Sequence, residues 1–175
     1  MSEIKILTAL VKEKMNIRNL TECDIARCLE IYNYYIEETT VSFEEEPLTL
    51  ERFSERVNGI RAKYPFIVAE DGEKIVGYAY LDLFHERSAY RFTADLSIYL
   101  DKSMLSRGTG GLLLDEIERR GKIMGITNII SLVTEENERS VAFHEKHGFR
   151  RVGRLEKVGV KFGRKLDVFY YQKSI

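Results

Sequence analysis

Cysteine, proline and tryptophan are scarce in this chain: its 175 residues include 2 Cys, 2 Pro and no Trp. Cys23 and Cys28 have neither the Cys-x-x-Cys spacing nor the clustered histidines of zinc sites. We therefore expect no metal, and we expect both cysteines to be reduced residues that pack in the interior. No stretch approaches the ~20 apolar residues that a bilayer span needs. Because the N-terminus also lacks a signal-peptide pattern, the sequence predicts a cytoplasmic protein that does not bind membranes.

Charge of one sign does not predominate either. The chain has 27 Lys and Arg against 28 Asp and Glu, a net charge of −1, and no long basic run could follow a phosphate backbone. We therefore expect no nucleic-acid partner. The composition is typical of a globular protein, and the length is that of one domain. The prediction is a single domain at 15–175 after an N-terminal extension at 1–14, to which no function is assigned.

Apolar periodicity divides the chain into helices and strands. Thr21 and Thr49 can cap two helices, which run to about Glu38 and to about Tyr64. Asp71-Gly72 is a dipeptide favoured in tight hairpins. The pattern predicts strands at 66–70, 74–84, 93–100, 128–133, 150–158 and 166–173, and further helices at 108–124 and 138–147, the last ended by Gly148 in the left-handed conformation. These elements indicate an α/β (α+β) fold with a mixed sheet.

The most informative segment is rich in glycine and lies between a predicted strand and a long helix. It reads Leu105-Ser106-Arg107-Gly108-Thr109-Gly110-Gly111. A helix start presents unpaired N–H groups and the positive end of its dipole, and glycine lets a phosphate approach those donors closely. Neither the Lys-Ser/Thr of a P-loop nor a complete Gly-x-Gly-x-x-Gly is present. The segment therefore predicts phosphate binding; the alternative is a turn that only starts the helix.

This segment resembles the coenzyme A loop of the GNAT superfamily of N-acetyltransferases, Gln/Arg-x-x-Gly-x-Gly/Ala. Gly108 and Gly110 match the two small positions, whereas Leu105 replaces the usual Gln or Arg, and Arg107 is a candidate to reach a phosphate instead. A second superfamily feature is an Asn before a helix that ends in aromatic-x-x-x-Gly-Phe, present here as Asn137 and as residues 144–149. The resemblance implies a mixed, mostly antiparallel sheet with one splayed parallel strand pair, flanked by helices.

From Ile17 to Gln172 the chain also resembles a narrower family, the phosphinothricin and methionine sulfoximine acetyltransferases. The matching segments are 31–33, 39–43, 46–47, 64–70, 87–90, 97–99, 144–145 and 158–163. This resemblance implies direct acetyl transfer, in a ternary complex, from acetyl-CoA to the amino group of a small amino-acid-like substrate such as phosphinothricin, methionine sulfoximine or methionine sulfone. It also implies a homodimer, for which the segment 168–171 is a candidate surface.

By the same resemblance, acetyl-CoA is bound by the glycine-rich loop, by the strand before it and by an amide. The residues assigned to this site are Ile98, Tyr99, Leu100, Leu105, Ser106, Arg107, Gly108, Thr109, Gly110, Gly111 and Asn137. The three strand residues would offer backbone groups where two parallel strands splay. Asn137 is equally suited to capping a helix.

Two residues are candidates for proton transfer. Strand alternation places Asp95, Ser97 and Tyr99 on one face, and Asp95 stands where the family usually has a Glu as catalytic base. One methylene shorter, Asp95 could act directly, act through a water or only orient the amine. His144 stands where the narrower family has a catalytic histidine, and a histidine with a pKa of about 6.5 can transfer protons at neutral pH. The alternatives are a structural or solvated Asp95 and a His144 held by hydrogen bonds.

Arg87 and Tyr90 are predicted to anchor the substrate, because a guanidinium grips a carboxylate with two hydrogen bonds and a phenol adds a third. Phe43 and Phe162 are candidates for the walls of a side-chain pocket, and the resemblance assigns Lys161 to the same substrate site. The alternatives for these residues are exposed ion pairs and ordinary core aromatics. The competing functions are acetylation of another amine or a protein N-terminus, an acetyl-CoA sensor without catalysis, and a scaffold for a partner.

Overall fold

The computed structural model describes residues 15–175, and the predicted extension at 1–14 lies outside them. In this part of the chain, seven strands and four α-helices are formed: β1 Met15–Asn19, α1 Ile25–Glu38, α2 Leu50–Arg61, β2 Phe66–Asp71, β3 Lys74–Leu83, β4 Thr93–Leu100, α3 Thr109–Ile123, β5 Asn128–Thr134, α4 Glu138–Lys146, β6 Arg150–Lys161 and β7 Arg164–Ser174. The predicted α/β (α+β) class is confirmed. Between residues 15 and 175, no helix is long and apolar enough to cross a membrane.

Local sequence explains several of these boundaries. The Thr49 hydroxyl accepts a hydrogen bond from the backbone N–H of Arg52 and caps α2, as predicted. Gly72 has a φ of 64° in the β2–β3 hairpin, and Gly148 has a φ of 84° after α4. Glycine adopts this left-handed conformation without steric cost, so the predicted hairpin and helix end are both confirmed.

The sheet differs from the prediction at its two edges. β1 is absent from the predicted strands because its five residues are too few to show a clear alternation, and it forms by pairing with β2. β6 continues beyond the predicted end at 158 to Lys161. A register shift between Leu155 and Gly159 keeps its last residues paired with β7.

All seven strands belong to one sheet, in the order β1-β2-β3-β4-β5-β7-β6. Neighbouring strands are antiparallel except β4 and β5. The parallel pairing covers three residue pairs, Thr93↔Asn128, Ala94↔Ile129 and Asp95↔Ile130. Both strands continue beyond these pairs, so an opening separates residues 96–100 of β4 from residues 131–134 of β5. We call it the β4–β5 gap; it confirms the predicted splayed pair in a mostly antiparallel sheet.

Helices cover both faces of the sheet. On one face α3 buries Leu113 and Ile117 against β4 and β5, and on the other face α1 and α2 bury Ile36 and Val57 against β2 and β3. Full burial of one such side chain contributes roughly 1.5–3 kcal/mol. β4 therefore lies between two cores, and each of its side chains faces one or the other.

The two cysteines have different environments. Both are free, and Cys28 is buried in the core beneath α1, where burial raises the pKa of its thiol to about 12. Cys23 is exposed in the turn before α1. The prediction that Cys23 packs in the interior is therefore wrong.

Candidate active site

The loop after β4 directs backbone groups outward at the start of α3. Ser106 and Gly108 have φ values of 63° and 92°, and Gly108 immediately precedes the first helical turn. The first N–H groups of a helix have no intrahelical partners and lie at the positive end of the dipole. Ser106, Arg107 and Gly108 are exposed, so an anion can reach these donors. The geometry of the loop fits a phosphate-bearing ligand.

Glycines in the first turn of α3 also serve packing. A Cβ atom at Gly110 would lie 3.2 Å from the ring of Phe143, and one at Gly111 would lie 3.2 Å from the ring of His147. Both rings belong to α4 or its end, so these glycines let the two helices approach. Beside them Thr109 is fully buried, and its Oγ1 has no hydrogen-bond partner within residues 15–175. Because buried hydroxyls are rarely unpaired, this oxygen fits a ligand group that enters the loop.

Backbone groups of β4 are divided between β3 and the β4–β5 gap. The N–H of Asp101 donates to the carbonyl of Val76 across a distance of 2.8 Å. Facing residues of an antiparallel pair alternate between bonded and non-bonded positions, so Tyr99 directs its backbone groups at β3, whereas Ile98 and Leu100 direct theirs at the gap. Tyr99 therefore does not present its backbone to the gap, contrary to the prediction.

One side of the gap is bounded by Tyr35 of α1. Its hydroxyl donates a 2.6 Å hydrogen bond to the carbonyl of Leu100. Burial raises the pKa of Tyr35 to about 12, so the hydroxyl stays protonated at neutral pH. Since the carbonyl of Leu100 already accepts this bond, Ile98 is the predicted strand residue best suited to bind a ligand through both its backbone groups.

Asn137 precedes α4, and its side-chain oxygen accepts a 3.2 Å hydrogen bond from the backbone N–H of Ser140. The residue is therefore a helix cap. A capping asparagine uses its oxygen and keeps two amide N–H donors for another partner. The capping role is thus compatible with the predicted contact to acetyl-CoA.

Asp95 lies in the last residue pair before the gap opens. Its neighbours Ala94 and Leu96 face α3, so the carboxylate is on the opposite face, as the alternation predicts. Its Oδ1 is buried and has no hydrogen-bond partner in the described part of the chain. Burial, and next the negative charge of Asp82, raise the pKa of Asp95 to about 6. A carboxylate with such a pKa can take up a proton near neutral pH.

His144 is enclosed by the core and bonded through both ring nitrogens. Nδ1 lies 2.7 Å from the carbonyl oxygen of Ser140, and Nε2 lies 2.9 Å from Oγ of Ser131. A carbonyl can only accept, so Nδ1 carries the proton, and Nε2 of the neutral ring accepts from the Ser131 hydroxyl. The ring stacks on Tyr171 and is 6% exposed. Because burial also lowers the pKa of His144, the neutral ring is favoured.

The loop between β3 and β4 carries the two residues predicted to anchor the substrate. Nη1 of Arg87 lies 3.4 Å from Nε2 of His85, and the ring of Tyr90 lies 4.9 Å from that of His85. All three are exposed. The guanidinium and the phenol thus flank one imidazole at the surface, where a carboxylate could contact both.

Lys161 ties the segment between α1 and α2 to the end of β6. Its Nζ donates to the carbonyl oxygens of Ser42 and Glu44, at 2.6 and 2.7 Å. The residue is 2% exposed, and burial lowers the pKa of its ammonium group. Two of its three donors are thus bound to backbone rather than presented to a substrate, and the contacts of Lys161 are those of a structural residue.

Phe43 and Phe162, the two aromatic residues predicted to line a side-chain pocket, lie beside the hydrogen bonds of Lys161. The ring of Phe43 covers Gly159, where a Cβ atom would come within 2.0 Å of it. Phe162 is in the β6–β7 turn with a φ of 52° and is exposed. Phe43 and Phe162 therefore line the same region, where the α1–α2 segment meets the β6–β7 hairpin.

Three residues near the β4–β5 gap were not among the candidates predicted from the sequence. Ser131 is a polar residue between apolar neighbours in the middle of β5, and it follows the last β5 residue paired with β4. Asp82 is paired with Asp95 across β3 and β4, and Tyr35 is joined to Leu100 across the domain. Within residues 15–175, no group of His, Cys, Asp and Glu is suited to a metal ion.

Comparison with known proteins identifies the family. Residues 17–169 match the acetyltransferase (GNAT) domain. The chain belongs to the GNAT acetyltransferases, and it is an acyltransferase. It is 32% identical to the phosphinothricin N-acetyltransferase of Alcaligenes faecalis, over 91% of this chain and 82% of that protein. It is 30% identical to the L-methionine sulfoximine/L-methionine sulfone acetyltransferase of Salmonella typhimurium, over 92% and 95%.

A solved structure also shows similarity to the GNAT acetyltransferases. The GNAT superfamily phosphinothricin acetyltransferase of Sinorhizobium meliloti, in complex with AcCoA, superimposes with a TM-score of 0.88 at 30% identity. The match covers 93% of this chain and 89% of that one. The fold described above is therefore that of the family.

Proposed function

We propose that this GNAT protein moves the acetyl group of acetyl-CoA to the amino group of a small amino-acid-like acceptor of the phosphinothricin, methionine sulfoximine or methionine sulfone type. The observation that carries the proposal is Asp95, a half-buried carboxylate with a raised pKa at the point where β4 and β5 separate. The acceptor class is supported by the two relatives named after these substrates.

The coenzyme would be bound along the gap and around the start of α3. The loop Leu105 to Gly111 would hold the pyrophosphate through backbone N–H groups, with the side chain of Arg107 and the unpaired hydroxyl of Thr109 as further donors. The backbone carbonyl of Ile98 and the amide of Asn137 would bind the amide-bearing arm. Acetyl-CoA supplies a thioester whose carbonyl carbon is the electrophile.

The protein's part in the reaction is to move protons and to polarise the carbonyl. Asp95 takes one proton from the ammonium group of the acceptor, directly or through a water. The neutral nitrogen attacks the thioester carbonyl while the N–H of Ile98 donates to its oxygen. The C–N bond forms, the C–S bond breaks, and a second nitrogen proton passes to the departing thiolate. Both reactants are held together, so transfer is direct.

His144 contributes through Ser131. Its neutral ring accepts the Ser131 hydrogen bond and fixes that hydroxyl immediately beyond the paired part of β5. We infer that the hydroxyl contacts the sulfur end of the thioester, whereas the imidazole acts as a positioning group. This proposal gives His144 a positioning role in place of the proton transfer that the sequence suggested.

The acceptor would be oriented by residues on two surface segments. Arg87 and Tyr90 supply a guanidinium and a phenol for its carboxylate, and Phe43 and Phe162 line the region that would take its side chain. Lys161 supports Phe43 by holding the residues on either side of it.

The proposal is tested by incubating the purified protein with acetyl-CoA and a panel of acceptors while free thiol is measured. The panel contains phosphinothricin, methionine sulfoximine, methionine sulfone, spermidine and a peptide with a free N-terminus. Thiol release that requires one of the three amino-acid analogues supports the proposal. Thiol release only with spermidine or the peptide would show an acetyltransferase but contradict the proposed acceptor class. Binding of acetyl-CoA without any thiol release would indicate a sensor.

We also propose a homodimer, with β6 as its surface. β6 is an edge strand, and several of its apolar side chains and one in the following turn are exposed: Val152, Leu155, Val158, Val160 and Phe162. Long apolar edges favour association with another chain. The segment 168–171 is less suited than predicted, because Val168, Phe169 and Tyr171 are buried. Light scattering tests the proposal: a mass of twice 20.4 kDa supports it.

A further inference from the structure

Two carboxylates face each other on the acceptor side of the sheet. Asp82 of β3 is the direct cross-strand partner of Asp95 of β4, and side chains in such pairs lie on the same face with Cβ atoms about 5 Å apart. No salt bridge within residues 15–175 involves either carboxylate. Like charges in this position repel each other, so the pair is stabilised when a cation or a proton is bound.

The two carboxylates have unused acceptor positions. Oδ1 of Asp95 is buried and unpaired in the described chain. Oδ1 of Asp82 accepts a 2.7 Å bond from the backbone N–H of Leu83, which fixes its side chain. Each ionised carboxylate has about four lone-pair sites, so both can accept further bonds from a donor placed between them. An ammonium group offers three such donors.

A cavity of about 510 Å³ leads to Asp82 between α2 and the end of β3. Its lining also includes three cations, Arg56, Lys63 and Arg91, and a second carboxylate, Glu55. Arg56 is already paired with Glu44, and Asp95 lies behind Asp82 rather than in the lining itself. The cations at this end of the sheet favour an acceptor that carries a carboxylate as well as an ammonium group. An α-amino acid is a ligand of this chemical class. Arg87 and Tyr90, on the β3–β4 loop, are the residues proposed to bind that carboxylate.

We propose that Asp82 and Asp95 together bind the ammonium group of the acceptor, with Asp82 as a substrate-binding residue and Asp95 as the proton acceptor. This inference rests on the proposed function and deepens it. The acceptor binds as R–NH₃⁺ between two carboxylates, one N–H proton passes to Asp95, and the nitrogen is left neutral beside Asp82. After transfer the proton on Asp95 is released to water, and the pair regains its two charges.

The pair also determines how the activity depends on pH. Besides Asp95, the charged or titratable groups on this face of the sheet include Asp82, Tyr78, Tyr80, Tyr99, Cys28, Tyr32, Tyr34, Tyr35, Tyr64, Glu44, Arg56 and Glu55, with Lys63 and Arg91 around the cavity. Of these, Asp82 is the one whose charge raises the pKa of Asp95, after burial itself. Removing the charge of Asp82 therefore moves the acid limb of kcat/KM to lower pH, which a purely structural residue would not do.

The test compares wild type with Asp82→Asn and Asp82→Ala, and with Asp115→Asn as a control that removes an exposed carboxylate from α3. Methionine sulfoximine is the acceptor. In Asp82→Asn we expect the acceptor KM to rise about tenfold, roughly the effect of one charge-assisted hydrogen bond. The KM for acetyl-CoA should stay within about twofold, and the acid limb should move down by roughly half a pH unit. The control should match wild type in all three.

An unchanged acceptor KM together with an unchanged acid limb in a folded Asp82→Asn protein overturns the inference. If wild type releases no thiol with any acceptor, the proposed function fails separately. The pair is then tested by carbon-13 NMR titration of the aspartate carboxyl groups: a lower Asp95 pKa in Asp82→Asn supports the coupling, and the same pKa overturns it. Thermal melts identify misfolded variants, and Asp82→Ala then replaces Asp82→Asn.

Discussion

The surroundings of Asp95 and of His144 differ in one decisive respect. Burial favours the neutral form of both: it raises the pKa of Asp95 to about 6 and lowers that of His144. Asp95, however, keeps a buried oxygen without a partner, whereas both nitrogens of His144 are bonded, to Ser140 and Ser131. A group that must exchange a proton with a substrate needs an unused bonding position. The comparison therefore supports the proposal that Asp95 takes up the proton and that His144 has a positioning role.

The largest expected effect comes from removing the group with the unused position. Asp95→Ala should lower kcat/KM at pH 7.5 by about 10²- to 10³-fold, because a general base contributes roughly that much. The affinity for acetyl-CoA, measured by calorimetry, should change little, since Asp95 faces away from the coenzyme loop. A loss of less than about threefold in a folded protein would mean that another group takes the proton. Asp95 and His144 would then no longer differ in the way proposed.

A smaller loss of activity is expected from variants of His144 and of its hydrogen-bond partner Ser131. Ser131→Ala and His144→Ala should each lower kcat by about tenfold, and the double variant should lose no more than either single one. Residues that act as one unit are non-additive in this way. The measurement is a double-mutant cycle on kcat, with thermal melts to correct for lost packing. A His144→Ala loss far above that of Ser131→Ala would instead support direct proton donation by the imidazole.

The sequence could predict features that depend on neighbouring residues, but not features that depend on contacts between distant parts of the chain. The face of Asp95 follows from strand alternation, and the caps at Thr49 and Gly148 follow from their neighbours, so local patterns were sufficient for them. The pairing of Asp82 with Asp95 requires the register of β3 on β4. No local pattern determines a register, because it is set by the packing of the whole sheet.

The same limit applies to contacts between distant segments. Lys161 bonds to the backbone of Ser42, 119 residues away, whereas the family resemblance had assigned it to the substrate site. Gly110 and Gly111 were assigned to the coenzyme loop, and only the approach of α4 explains their lack of side chains as packing. Local sequence therefore does not show which polar groups are already bonded within the protein, because those bonds depend on contacts between distant segments.

The smallest expected effect is on the free energy of unfolding. Its dependence on pH distinguishes Asp95, whose pKa is raised, from an exposed carboxylate. Because the folded-state pKa of about 6 exceeds the usual 3.9 of an unfolded aspartate, the folded state binds the proton more tightly. Stability is therefore lost as pH rises through this window, and the ionised carboxylate is unfavourable above it. Asp95→Asn removes this cost, so we expect the free energy of unfolding at pH 8 to rise by about 1–2 kcal/mol, below the full linkage value because the site is partly hydrated.

At pH 4.5 the gain from Asp95→Asn should shrink below about 1 kcal/mol, since the folded wild type is then mostly protonated. Urea unfolding at the two pH values measures the difference, and Asp115→Asn, on an exposed face of α3, should show no such change. An equal gain at both pH values would mean that packing, not charge, limits stability at Asp95. A gain confined to high pH, in a variant that has lost its activity, would mean that the fold keeps an unfavourable charge here because catalysis needs one.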